Sequence, residues 1–429
     1  MSQPEQPAAN RPEQTVSSPQ PSRVRTLLAA TGAFYFPIAF IARFPYAMIV
    51  VGVLTLIVAV RDSLALGGLV SACVGLGTAA VGPLIGAAAD RFGQRRVVLL
   101  AGILNGVTLL LMAAAATAAP EAVVLLIAVL IGATAPQVSP LSRSRLVGII
   151  QTRMPASARS SVLNATFSYE SAADEVTFVF GPVLVGVLAT TAGPQAAVVG
   201  GALLEFVFVT AFALHSTSKL AAHETAVHDR APARELVRPR LLVLVTGATG
   251  IGLFFGAMLT ALTALMTTLG DPDQSGLVYG AMGVGSAAFA LGMALMPERF
   301  SLRARWLVFG VVLLGGASAF PLAGTVPTAL IVLFITGVGV GPTLVSLYSL
   351  AALRSPAGRS ATVMTMLGSG VVVGQAAASG IVGAVASSAG SHAASFSPAI
   401  AAAIVLAAAA VNWMLSPRRS RPSPETPMP

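Results

Sequence analysis

The stretch "GAAADRFGQRR", residues 86–96, joins two apolar runs and carries one acid, three arginines and two glycines in eleven positions. Gly86 gives a flat helix face, together with Gly82 one turn earlier. Asp90 is placed to accept hydrogen bonds at a helix end or to meet the positive end of a neighbouring helix. Arg91, Arg95 and Arg96 suit a loop held at lipid headgroups. That reading requires a membrane, which the composition supplies. Of 429 residues, 55% are hydrophobic and 10% charged, whereas a soluble domain carries charge on about a quarter of its residues. The 42 glycines fit close helix packing in lipid. Cys73 is the single cysteine, which excludes an internal disulfide and a cysteine metal cluster.

A membrane-crossing helix needs about 20 apolar residues. Twelve such runs are expected, at 34–60, 64–87, 97–118, 121–142, 160–191, 194–215, 241–269, 275–296, 305–323, 327–350, 359–389 and 396–415. Residues 1–25 and 416–429, rich in Pro, Ser and charge, are expected to be disordered and cytoplasmic. With both termini in the cytoplasm, all 25 basic residues except Arg43 and Arg61 fall on that side or at its edge, as the excess of basic residues in cytoplasmic loops demands. Trp306 and Trp413 are then expected at the interface. The expected location is the cell membrane.

The soluble connection 215–240 separates six spans (26–214) from six (241–415). The two halves repeat one another: "DRFGQRR" (90–96) answers "ERFSLRAR" (298–305), and "RMPASARS" (153–160) answers "RSPAGRS" (354–360). Duplicated halves in transporters place a substrate site at mid-membrane between them. The expected fold class is therefore an all-α membrane protein of twelve transmembrane helices in two pseudo-symmetric halves.

The spacing Gly86, Asp90, Arg91, Gly93, Arg95, Arg96, placed between spans two and three, resembles the signature of the major facilitator superfamily, and the resemblance runs over residues 30–415. It implies a conformational latch at this motif and secondary transport by alternating access. A second resemblance, to antiporters of the family, lies in "FVFGPVLVG": Gly181, Pro182 and Gly186 in span five imply a helix kink and favour export, although Val185 stands where a glycine is usual. The fourth-span arginine of many drug antiporters is absent from "AVVLLIAVLIGATAP", and Arg43 is the candidate to replace it.

"SYESAADEVTFVFGP" (168–182) places Glu170, Asp174 and Glu175 around the expected midpoint of span five, near Val176. Ionisable groups at that depth are costly and mark function. Glu170, Asp174, Thr177 and Gly181 share one helix face, and Glu175 is rotated about 100° from it. Arg43, read as the one basic residue inside a span, is expected to pair with one of the three. Asp174 is the expected proton carrier, and Glu170 or Glu175 the counter-ion of Arg43. Glu205 in span six is expected to be a structural acid, with a part in proton coupling as the alternative. Four acids against one arginine favour protons or cationic substrates. Gln375 and Tyr348 are the expected substrate contacts in the second half.

The function expected is proton-coupled export of a small amphipathic or cationic compound, with proton symport as the alternative and a non-transporting receptor as the alternative of another class. An enzyme is disfavoured because His215, His223, His228 and His392 lie at span ends or in loops, out of reach of a serine nucleophile. No cofactor or metal and no nucleic acid is expected, and the chain is expected to be a monomer whose partners are its substrate, protons and the bilayer.

Overall fold

The computed structural model describes residues 23–222, 230–270, 274–297 and 299–415. The two terminal segments expected to be disordered lie outside these, except that Arg23 already opens a short helix, Arg23–Thr31. A backbone in lipid must satisfy its polar groups internally, and each long apolar run does so as a helix. Among the described residues, twelve helices are long and apolar enough to cross a membrane: Tyr35–Arg61, Leu66–Phe92, Gln94–Ala115, Glu121–Arg153, Ala156–Ala192, Pro194–Leu214, Pro239–Leu269, Ser275–Leu295, Leu302–Leu322, Val326–Arg354, Ser360–Ala394 and Ser397–Leu415. They are called spans one to twelve in chain order. An even number brings both ends of the bundle to one face, the terminal side.

Among the described residues, three spans depart from regular helix well inside the span and beside a polar residue. Span one is two helices, Tyr35–Ile41 and Phe44–Arg61, with Arg43 at the junction and Pro45 just after it. Span four is likewise broken: one helix ends at Thr134, Pro136 follows, and a second runs Val138–Arg153. Span six passes through a π turn, Glu205–Val209, a local feature frequent at functional sites.

Span four corrects three expectations. It does not stop at 142 but continues to Arg153, with Arg143 and Arg145 at 1% and 0% exposure. Arg43 is therefore not the one buried arginine, and span four does carry arginines. The apolar run ends at the "SRSR" of 142–145, but the helix persists because partners inside the bundle meet both charges. Arg145 donates to Gln94 Oε1, to the Phe212 carbonyl and to Thr217 Oγ1, and stacks 3.9 Å from the Phe212 ring centroid. Arg305 in span nine is buried too.

The two halves meet along spans two and eleven and along spans five and eight. Small residues permit this approach: a Cβ on Gly86 would run into Thr365 Oγ1 and the Ala361 carbonyl, and one on Gly283 would stand 2.6 Å from Val179. Trp306 is a core residue, fully buried against Gly247, which corrects its interfacial placement. Trp413 is 47% exposed and packs under Arg303.

The orientation is open to direct measurement. In a Cys73→Ala background, Lys219→Cys and Gln274→Cys, both on exposed positions, are expected to react with an impermeant maleimide from opposite faces; reaction from the same face would overturn the topology.

Candidate functional site

The chemistry gathers where the breaks of spans one and four face span five. Arg43, freed from regular helix at its junction, donates Nη2 to Glu170 Oε2 at 2.6 Å and Nη1 to the Glu170 carbonyl at 3.4 Å. Glu170 is fully buried, and its other oxygen accepts from Ser142 Oγ at 3.1 Å. Ser142 shares a hydrogen bond with Tyr35. One turn along span five, Asp174 lies between two guanidinium groups: Arg143 Nη2 at 2.8 Å from Oδ2 and Arg43 Nη1 at 3.6 Å from Oδ1. Ser139 Oγ donates to Oδ2 at 2.7 Å and accepts from Arg143 Nη1. The ring of Tyr348, from span ten of the other half, covers Arg143 at 4.1 Å.

Glu175 points elsewhere, as its rotation about the helix predicts. Ser286 Oγ, in span eight, donates to its Oε1 at 2.8 Å across the junction of the halves. Glu205 is apart from all of these. It is buried with no hydrogen-bond partner on either oxygen, and it lies against span three, where a Cβ on Gly102 would meet it at 3.5 Å. Gln375 is partly exposed on span eleven and has no hydrogen bond to this cluster. Gly181 is explained by packing, since a Cβ there would stand 2.8 Å from that of Ala47; Gly186 faces open space. Pro182 sits inside an unbroken helix.

On the terminal side the motif of residues 86–96 grips the other half. Asp90 accepts from the backbone N–H groups of Ala361 and Thr362 at 3.0 and 2.7 Å and from Thr362 Oγ1 at 2.5 Å. These N–H groups belong to the first turn of span eleven, where a helix leaves its donors unpaired and favours negative charge. Gly93, at φ +87°, makes the turn into span three. Arg91, Arg95 and Arg96 are exposed. The connection between the halves crosses the same junction: Arg230 donates to the Arg91 carbonyl, while Ala231 exchanges hydrogen bonds with Ala357 and Arg359.

The repeat builds a second grip that reading the sequence missed. Asn164, near the start of span five, donates to the Met293 carbonyl at 2.6 Å and accepts from Arg305 at 3.0 Å. Span five answers span eleven in the duplication, so the "ERFSLRAR" segment was the available signal. These contacts between the halves, with Gln137 to Ser369 at 3.3 Å, lie at mid-depth or on the terminal side.

Comparison with known proteins agrees with this architecture. The sequence profile of the Major Facilitator Superfamily matches residues 35–270 and 244–428. The chain belongs to this superfamily. No relative among curated proteins matches the sequence. Among solved structures of the superfamily fold, the human organic anion transporter MFSD10 (TETRAN) is similar with a TM-score of 0.66 at 16% identity, covering 91% of this chain and 100% of that one. A variant of the E. coli fucose:proton symporter FucP is similar with a TM-score of 0.60 at 13% identity, covering 88% and 98%. At such identities the likeness is one of fold. Superfamily membership makes the chain a multi-pass membrane transporter of small molecules.

Proposed function

We propose that the chain is a proton-coupled secondary transporter of a small amphipathic compound, that it works by alternating access in the cell membrane with its termini in the cytoplasm, and that Asp174 takes the coupling proton. The carrying observation is that Asp174, at 19% exposure, is the most open of the four acids inside the bundle, Glu170, Asp174, Glu175 and Glu205; its Oδ2 accepts from Ser139 and pairs with Arg143, while its Oδ1 has only Arg43 at 3.6 Å. With the terminal side held shut by contacts between the halves, the coupling proton reaches Asp174 from the opposite aqueous phase. A proton on Oδ1 cancels the charge that holds Arg143 and Arg43 close, so proton binding acts directly on the packing of spans one, four and five. Glu170, buried and doubly bonded, is the fixed counter-ion of Arg43. The Asp90 and Asn164 grips hold the sealed side shut and must open when the halves rock.

Two directions compete. Export by proton antiport is the reading that Gly181 and Pro182 favour by resemblance. Symport is favoured by charge: Arg43 and Arg143 balance Glu170 and Asp174, and the cluster has no spare negative charge for a cation to meet.

A pH-sensitive dye trapped in proteoliposomes tests coupling and direction together. A panel of amphipathic anions, cations and neutral compounds is added outside. Acidification of the lumen on addition identifies symport, and alkalinisation identifies antiport. Asp174→Asn is expected to reduce the proton signal to that of empty liposomes while exchange of labelled substrate persists. A full proton signal from Asp174→Asn would overturn the assignment.

A further inference from the structure

We infer that the Asp174 carboxylate occupies a carboxylate-binding site, and that an organic monoanion takes its place on Arg143 when Asp174 is protonated; this deepens, and rests on, the transport cycle proposed above. The first observation is a surplus of donors. Arg43 and Arg143 are 3% and 1% exposed, and the Nε–H of each has no acceptor. A buried charged donor left unpaired is costly. Two such donors beside the Glu170 and Asp174 carboxylates mark a place that holds more acceptor oxygens than the protein supplies.

The second observation is the broken span. The helix Val138–Arg153 begins at mid-depth, where the start of a half-helix favours negative charge. Ser139 on its first turn already donates to Asp174 Oδ2. Asp174 is thus held as a ligand would be: by a guanidinium group and by a hydroxyl on the first turn of a half-helix.

Charge decides what can replace it. Arg43, Arg143, Glu170 and Asp174 sum to zero. The other titratable groups within electrostatic reach of Asp174 are Tyr46 of span one, Tyr348 of span ten, and Tyr169 and Glu175 of its own helix, none of them a cation. One proton on Oδ1 leaves Arg143 uncompensated, and a buried cation without its partner is strongly disfavoured. A monoanion restores the balance, while a monocation makes it worse. The count of one arginine that favoured cations omitted Arg143. Tyr348 over the guanidinium supplies a flat aromatic wall, so the substrate class is a monocarboxylate with a flat apolar body.

The exchange balances. A proton from the open side adds to Oδ1, and Asp174 lets go of Arg143 Nη2. The substrate carboxylate accepts that donor and Nε–H in its place. On release at the other side, the anion leaves, the proton returns to water and Arg143 closes on Asp174 again. One proton and one anion cross together, which is electroneutral symport.

The test is thermal melting of the purified protein with benzoate, salicylate, naphthoate and phenylbutyrate, each beside its neutral amide, and with benzylamine. At least one carboxylate is expected to stabilise the wild type when measured from about pH 8 to about pH 5, with an apparent dissociation constant that falls as the pH is lowered, by up to about tenfold per pH unit, the limiting slope of one linked proton. The matching amide is expected to give no shift. Asp174→Asn, purified with the carboxylate present, is expected to bind it equally at both ends of that range. Adding Arg143→Gln is expected to abolish binding. Should Asp174→Asn not survive purification, the wild-type pH series carries the test. Stabilisation by benzylamine alone, or by no carboxylate at any pH, would overturn the inference. If carboxylates bind in this manner but move no protons, the site stands and the coupling falls. If a cation moves protons while no carboxylate binds, the coupling stands and this site falls.

Discussion

Glu170→Gln is expected to melt far below the wild type and to give little purified protein. The carboxylate is fully buried and holds Arg43 Nη2 at 2.6 Å. Removing one partner of a buried pair typically costs about 3–5 kcal/mol, because the other charge is left in low dielectric, and native proteins hold only about 5–15 kcal/mol in all. Asp174 offers partial relief at 3.6 Å, but it already serves Arg143. Combining Glu170→Gln with Arg43→Leu removes both charges and leaves Asp174 paired with Arg143, so the double variant is expected to recover most of the lost stability. Glu205→Met is the control. Glu205 is equally buried but has no partner, and replacing an orphaned polar group with an apolar one of similar length is neutral or stabilising. Melting curves of the detergent-purified variants decide it: a Glu170→Gln protein as stable as wild type would mean the ion pair is structurally idle.

The contrast between these acids also shows what the sequence carries and what it does not. Helix periodicity separated Glu175 from Glu170 and Asp174, and the structure sends Glu175 to Ser286 and the other two to arginines. Spacing and residue type located the Asp90 motif, because a helix end that needs an acid and a close approach that needs Gly86 are local demands. Arg143 was misplaced for the converse reason. Hydropathy reads a serine–arginine run as the end of a span, and the compensation for its charge comes from residues far along the chain, Asp174 and Tyr348. The same limit hid Asn164: its partners, the Met293 carbonyl and Arg305, are more than a hundred positions away. Trp306 was assigned by its arginine neighbours, but its ring is enclosed by Gly247, and enclosure depends on which helices pack together. The backbone breaks are intermediate. Pro45 and Pro136 are visible as breakers, but that each break seats a charge or its partner follows only from the fold.

Asp90→Asn is expected to leave folding intact and to remove most transport. The carboxylate accepts two backbone N–H groups and a hydroxyl at the start of span eleven. An asparagine has one acceptor oxygen, and its amide would set N–H against N–H at the second position. Losing a charge-assisted bond and the favourable charge at a helix start together costs about 3 kcal/mol, roughly a hundredfold in the balance between sealed and open states. Folding is spared because the freed donors sit at the membrane surface, where water reaches them once the grip opens. Arg96→Ala is expected to be far milder, because Arg96 is exposed and adds only attraction to headgroups. A structural reporter separates loss of the latch from general damage. Ser144 lines the cavity beneath Asp90, together with Gln94, Gln151 and Ser360, and is buried in the sealed state. In a Cys73→Ala background, Ser144→Cys should be slow to react with an impermeant maleimide from the terminal side, and should become fast when Asp90→Asn is added. Unchanged labelling with full transport would show that the sealed state does not depend on Asp90, and the Asn164–Arg305 grip of the other half would then be the element that holds it.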